Sequence, residues 1–141
     1  MVKQISIFLE NDSGKLAAII AALSNKGIDL RAMTLSEAQD FGIVRLIVDD
    51  YEAASAALQD EEFIFSVKEV IAIELDDEPG SLAKVLKALG DNNINMEYTY
   101  AFTAHRKGAA NLIIKAKEED EAVAVLRKAG IKLMSQKDLL E

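Results

Sequence analysis

Two short polar turns hold the residues best suited to gripping a small molecule. Asn11-Asp12-Ser13-Gly14-Lys15-Leu16 and Asp77-Glu78-Pro79-Gly80-Ser81-Leu82 each follow an alternating apolar segment and open onto one with helical periodicity. The start of a helix offers unpaired backbone N–H groups and a partial positive charge, so it attracts a carboxylate or a phosphate. Gly14 and Gly80 leave the backbone open to close approach, Pro79 can preset a first helical turn, and Asn11 or Asp77 can take an ammonium group. Carboxylate to backbone and ammonium to side chain is the chemistry of a free amino acid. Ordinary caps, in which Asx and Ser side chains finish a helix, use the same residue types, and from one turn alone that plainer reading is the stronger.

Catalytic groupings are hard to build from what remains. Covalent catalysis wants a nucleophile, an adjacent base and an orienting group, yet the chain has one histidine, His105, at an expected hairpin tip, and no cysteine. Asp60-Glu61-Glu62 and Glu118-Glu119-Asp120-Glu121 are carboxylate runs that could be imagined as metal ligands. The first reads as a loop and the second as a helix start, where the helix dipole alone favours acidic residues, so neither reads as a metal site. An enzyme on this scaffold is therefore disfavoured, and no cofactor is implied. A net charge of -8 argues against nucleic acid, which is held mainly through clustered Lys and Arg. The segments Ile43 to Val48 and Ala109 to Ala116 also lack the aromatic residues on which bases stack.

The elements that must carry these turns are legible because the chain repeats itself. Ile5, Ile7, Leu9, Gly14, Leu16, Leu23 and Ile28 match Ile71, Ile73, Leu75, Gly80, Leu82, Leu89 and Ile94 at one fixed offset, 66 positions from 5 to 71. Gly42 against Gly108 continues it, so two modules, 1–68 and 69–141, fill the chain. In each, a period-two strand precedes a helix whose apolar stripe in the first copy is Leu16, Ile19, Ile20 and Leu23. Gly27 and its counterpart Asn93 are suited to the left-handed conformation that closes a helix. Two further strands around a hairpin, a second helix and a last strand complete a βαββαβ order, a ferredoxin-like α+β arrangement. The eight strands expected are Gln4–Leu9, Ile28–Ala38, Ile43–Val48, Phe63–Val67, Val70–Leu75, Ile94–Thr103, Ala109–Ala116 and Ile131–Met134.

Tyr98, Tyr100 and Phe102 share parity with Ile94 and Met96, which predicts an aromatic ladder on the core face of its strand. Met33 and Leu35, with Arg31, stand in the equivalent strand of the first copy and point towards a further contact surface and a homodimer. No apolar run reaches the length of a membrane span and no signal peptide is visible, and the lack of cysteine fits a reducing cytoplasm.

With these residues in place, the sequence resembles the ACT domain, a small-molecule-sensing βαββαβ module, and the whole chain resembles a tandem pair of them. Asp77-Glu78-Pro79-Gly80-Ser81-Leu82, the apolar Val85, Leu86 and Leu89, and Asn92-Asn93-Ile94-Asn95-Met96 carry the likeness in the second copy. The first copy departs from it, with Asn11 for the acidic residue, Ser13 for the proline and Asp29 where the second has Asn95. The resemblance implies modules paired side by side into an eight-stranded antiparallel sheet with helices on one face. It also implies an amino-acid site where the first loop of one module meets the second strand of its neighbour. That would bring Asn11 and Gly14 towards Asn95, and Asp77 and Gly80 towards Asp29, with Asp12, Ser13, Leu16, Glu78, Pro79 and Leu82 completing the loops. A non-catalytic amino-acid-binding regulator is the function so implied; a regulatory subunit docking on an amino-acid biosynthetic enzyme is the alternative.

Overall fold

The computed structural model describes residues 1–10 and 12–140, among which are seven strands and five helices. In chain order these are β1 (Val2–Glu10), α1 (Ser13–Ser24), β2 (Leu30–Ala38), β3 (Phe41–Val48), α2 (Tyr51–Asp60) and β4 (Ile64–Asp76), followed by α3 (Ser81–Asp91), β5 (Met96–Thr103), β6 (Ala109–Ala116), α4 (Glu119–Lys128), β7 (Lys132–Met134) and α5 (Gln136–Leu140). The chain forms two compact units, one from Lys3 to Glu69 and the other from Met1–Val2 together with the chain from Val70 onward. Seven strands stand where the periodicity predicts eight, because Phe63–Val67 and Val70–Leu75 are not separate: β4 runs unbroken for 13 residues. Nothing at Lys68-Glu69 could interrupt it, since neither Gly, Pro nor a turn-forming residue occurs there.

In the first unit the strands lie in the order β4-β1-β3-β2, and in the second β7-β4-β6-β5. Both are the ferredoxin-like sequence fourth, first, third, second, with β4 serving as the last strand of one unit and the first of the other. Each unit buries one sheet face under its helices. Ile5, Ile7 and Leu9 of β1 and Val44, Leu46 and Val48 of β3 meet Ile19 and Leu23 of α1 and Ala54, Ala57 and Leu58 of α2. Ile71 and Ile73 with Leu112, Ile114 and Ala116 meet Val85 and Leu89 of α3 and Ala122 and Leu126 of α4. Each large side chain so buried contributes about 1.5–3 kcal/mol relative to exposure, and this is what seats the helices and fixes where their first turns lie. The α1 and α3 C-termini turn off as expected, with Gly27 at φ 72° and Asn93 at φ 57° doing the same work.

One expectation fails for a definite reason. The register of β5 on β6 slips between Met96, opposite Ala116, and Tyr98, opposite Lys115. The extra residue is a β-bulge, and a single-residue slip sends every later side chain to the other face. Met96 packs on the helix-side core, whereas Tyr98, Tyr100 and Phe102 share the opposite face with Lys115, Ile113 and Asn111, and Thr99 and Ala101 take the helix side. The aromatic ladder is therefore not a core face. Its members are half-buried, and the rings of Tyr98 and Tyr100 stack with centroids 6.4 Å apart. The first unit carries the same slip between Leu30 and Ala32, which puts Met33 and Leu35 on the helix side of β2, where they are exposed.

Helix α5 was not foreseen from periodicity, being five residues long. Its signal is Ser135-x-x-Asp138: the Asp138 N–H donates to Ser135 Oγ at 3.2 Å and the Ser135 N–H donates to Asp138 Oδ2 at 2.9 Å, a reciprocal helix cap. The acidic run at Glu119, Asp120 and Glu121 occupies the first turn of α4, with Arg127 and Lys128 in its last, as the helix dipole favours. Among the described residues no helix is long and apolar enough to cross a membrane.

Candidate functional site

The two first-loop turns, alike in sequence, are finished differently. In the first unit Asp12 is the N-cap of α1: its Oδ1 accepts from the Gly14 N–H at 2.9 Å and its carbonyl from the Lys15 N–H at 3.1 Å. The helix start is thus already occupied by a carboxylate of the chain itself. In the second unit the N-cap of α3 is Gly80, at φ 95°, and no side chain caps the helix. A side chain at that φ would be strained, so glycine is what lets the turn close. The Ser81 N–H reaches the Glu78 carbonyl at 3.3 Å, while those of Leu82 and Ala83 have no acceptor among the described residues. Pro79 lies outside the helix rather than in its first turn, a correction to the expectation that it presets that turn. Gly14 lies within α1, and Ser13 is its first residue.

Hollows sit at matching places beside both turns. The first, of about 420 Å³, is lined by Leu9, Glu10, Asp12, Ser13, Leu16, Leu35 and Gly42. The second, of about 140 Å³, is lined by Leu75, Asp76, Asp77, Glu78, Ser81, Leu82, Ala101 and residues Ala110 to Leu112. Leu9 answers to Leu75, Asp12 to Glu78, Leu16 to Leu82 and Leu35 to Ala101, so the repeat preserves the hollow while changing its walls. Beside the second turn lies a third and larger cavity, of about 570 Å³, lined by Pro79, Gly80, Ser81, Lys84, Glu74, Arg106 and Lys132 among others.

Its charges are organised around Glu74. Arg106 Nε lies 3.2 Å from Glu74 Oε1, Lys132 Nζ 3.0 Å from Glu74 Oε2, and Arg106 Nη2 3.1 Å from Asp76 Oδ1. The hydrogen bond from Lys132 holds the Glu74 carboxyl below the usual range; burial works against this, and Arg106 adds to it. Sequence reading passed over Glu74, Arg106 and Lys132, since they lie far apart in the chain and only strand pairing and the β5–β6 hairpin bring them together.

Asp77 and Glu78 are exposed at the loop, where Asp77 can face a cationic group, and Leu82 is exposed on the first turn of α3. Asn11 lies outside the described residues. Asp29 and Asn95 do not join the loop of their own unit. Each follows its helix while the loop precedes it, so the length of α1, 12 residues, separates Asp29 from Asp12 by roughly 18 Å. Asp29 is exposed, with Arg31 Nη1 at 3.6 Å from its carboxylate and its N–H donating to Asp49 Oδ1 at 3.0 Å. Asn95 is exposed, and its carbonyl accepts from the Lys117 N–H at 3.2 Å.

A model of the family described as ACT domain pair matches residues 1–141. No curated protein matches the sequence. Among solved structures, a protein from Bacteroides thetaiotaomicron is 37% identical with a TM-score of 0.91, the alignment covering 99% of this chain and 96% of that one. The ligand-free regulatory subunit of aspartate kinase from Thermus thermophilus is 20% identical with a TM-score of 0.62, over 90% of this chain and 91% of that one. The corresponding subunit from Thermus flavus is 18% identical with a TM-score of 0.59, over 91% and 92%; these two show likeness of fold.

Proposed function

The chain belongs to the ACT domain pair family, and on that footing we propose that it is a non-catalytic regulatory protein which binds a free amino acid at the first loop of its second module. The observation that carries this reading is the uncapped start of α3. The N–H groups of Leu82 and Ala83 are open to a ligand carboxylate, Gly80 lets it come close, and Asp77 stands on the same loop to receive an ammonium group. The first loop, closed by Asp12, is the poorer of the two sites. As in the resemblance drawn above, the other wall of the site comes from the second strand of a neighbouring module, with Asp29 towards Asp77 and Gly80, and Asn95 towards Asn11 and Gly14. A side-by-side eight-stranded pairing and a cytoplasmic homodimer belong to the same proposal.

Calorimetry with each of the twenty amino acids is the test. One or two are expected to bind, and to lose at least tenfold in affinity in Gly80→Val. Binding that survives Gly80→Val unchanged overturns the assignment of the site. A second reading, docking on an amino-acid metabolic enzyme, is favoured by one observation: Met33 and Leu35 are about half exposed on β2, at 49% and 51%. Two of the structures of like fold are themselves named regulatory subunits of aspartate kinase.

A further inference from the structure

The ligand loop of the second module is pinned from outside by an arginine, and the first module has no cation at the equivalent position. Asp76 ends β4 and leads directly into Asp77–Gly80, with the Glu78 N–H donating to the Asp76 carbonyl at 2.9 Å. Arg106, from the β5–β6 connection, bridges Asp76 and Glu74 at 3.1 and 3.2 Å, and two residues on, the Gly108 carbonyl accepts from the Asp77 N–H at 2.8 Å. The Glu74 side chain is only 9% exposed and its second oxygen is held by Lys132, so it is an anchor with no freedom to follow a moving arginine. At the offset that relates the modules, Glu74, Asp76, Arg106 and Lys132 are replaced by Phe8, Glu10, Asp40 and Ser66, none of them a cation.

We infer that Arg106 is a positioning residue for the second-module site: through Asp76 and Glu74 it holds the β4 end, and so sets the loop whose helix start receives the ligand. The side chain is half exposed, at 51%, and its removal leaves the core of the unit untouched. A planar guanidinium that bonds two carboxylates at once fixes a direction as well as a distance, which a lysine cannot fully reproduce. The inference rests on the proposed amino-acid site for its functional meaning, but its structural half can be tested without any ligand.

Amide hydrogen exchange followed by mass spectrometry reads that half. In Arg106→Gln the segment 76–83 is expected to exchange faster by roughly tenfold, in Arg106→Lys by less, with segment 10–17 and the buried β6 strand unchanged. The functional half uses an equimolar mixture of the twenty amino acids as the probe. In the parent the mixture is expected to slow exchange in 76–83, and in Arg106→Gln that protection requires about fivefold more of the mixture. Exchange in 76–83 that is the same in the parent and Arg106→Gln overturns the positioning role, as does equal protection of both by the mixture. A parent that the mixture does not protect, but whose loop loosens in Arg106→Gln, overturns the amino-acid site and leaves the positioning of the loop standing.

Discussion

The turns that lead into α1 and α3 occupy equivalent places in two copies of one fold, but α3 begins two repeat positions later than α1, and the two helix starts differ in what satisfies them. Asp12 folds its carboxylate onto the first turn of α1, whereas Glu78, at the same place in the repeat, leaves α3 without a side-chain cap. A single methylene and a proline separate the two outcomes. Asp is short enough to bond the backbone two residues on, while Glu followed by Pro79 and a left-handed Gly80 is carried away from the helix. Duplication preserved the scaffold, and with it the position of the turn; small changes within the turn decide whether it closes on itself or stays open for another molecule.

Breaking this comparison most sharply should be the glycines. Gly80→Ala places a side chain at φ 95° and is expected to destabilise the protein by about 1–2 kcal/mol. Gly14→Ala meets only Asp12 Oδ1 at an ordinary 3.7 Å in a helical position, and is expected to stabilise by up to about 1 kcal/mol. Urea unfolding of the two variants should therefore give shifts of opposite sign, and shifts of the same sign would dissolve the contrast. Next come the caps: Asp12→Ala should cost about 1 kcal/mol by the same assay, and Glu78→Ala almost nothing. Equal costs would show that α3 is capped after all.

The smallest effect concerns acid. Because the folded state holds the Glu74 carboxyl below its ordinary value, that group stabilises the fold above the unfolded pKa of about 4.3 and ceases to as pH falls through the lowered folded value. Between about pH 5 and pH 3 the parent should lose more stability than Glu74→Gln, by less than about 1 kcal/mol. Indistinguishable pH profiles for the two proteins would remove Glu74 as a distinguishing mark of the second module.

Much of this architecture is legible in the chain, because burial leaves a period and duplication prints it twice. Ile5, Ile7 and Leu9 announce a strand and Leu16, Ile19 and Leu23 a helix without help from coordinates. The turns that hold the candidate site are equally visible. What escapes is whatever depends on one residue or on pairing across the sheet. A bulge at Met96 reverses Tyr98, Tyr100 and Phe102, yet no residue type there signals an extra member in the strand. The Glu74, Arg106 and Lys132 cluster spans 58 positions, from 74 to 132, and no local pattern joins them. The short α5 was readable in its Ser135 and Asp138 pair, but such a motif is too common to stand alone.

Strand β4 has a practical consequence for anyone wishing to take the protein apart. Since its first half belongs to one compact unit and its second half to the other, there is no seam at which scissors fall harmlessly. A cut after Glu69 severs a continuous strand and leaves both pieces with a raw end. Any attempt to express one copy alone must therefore carry the whole of β4 with it, and the surplus half, having lost its own partners, becomes an adhesive tail.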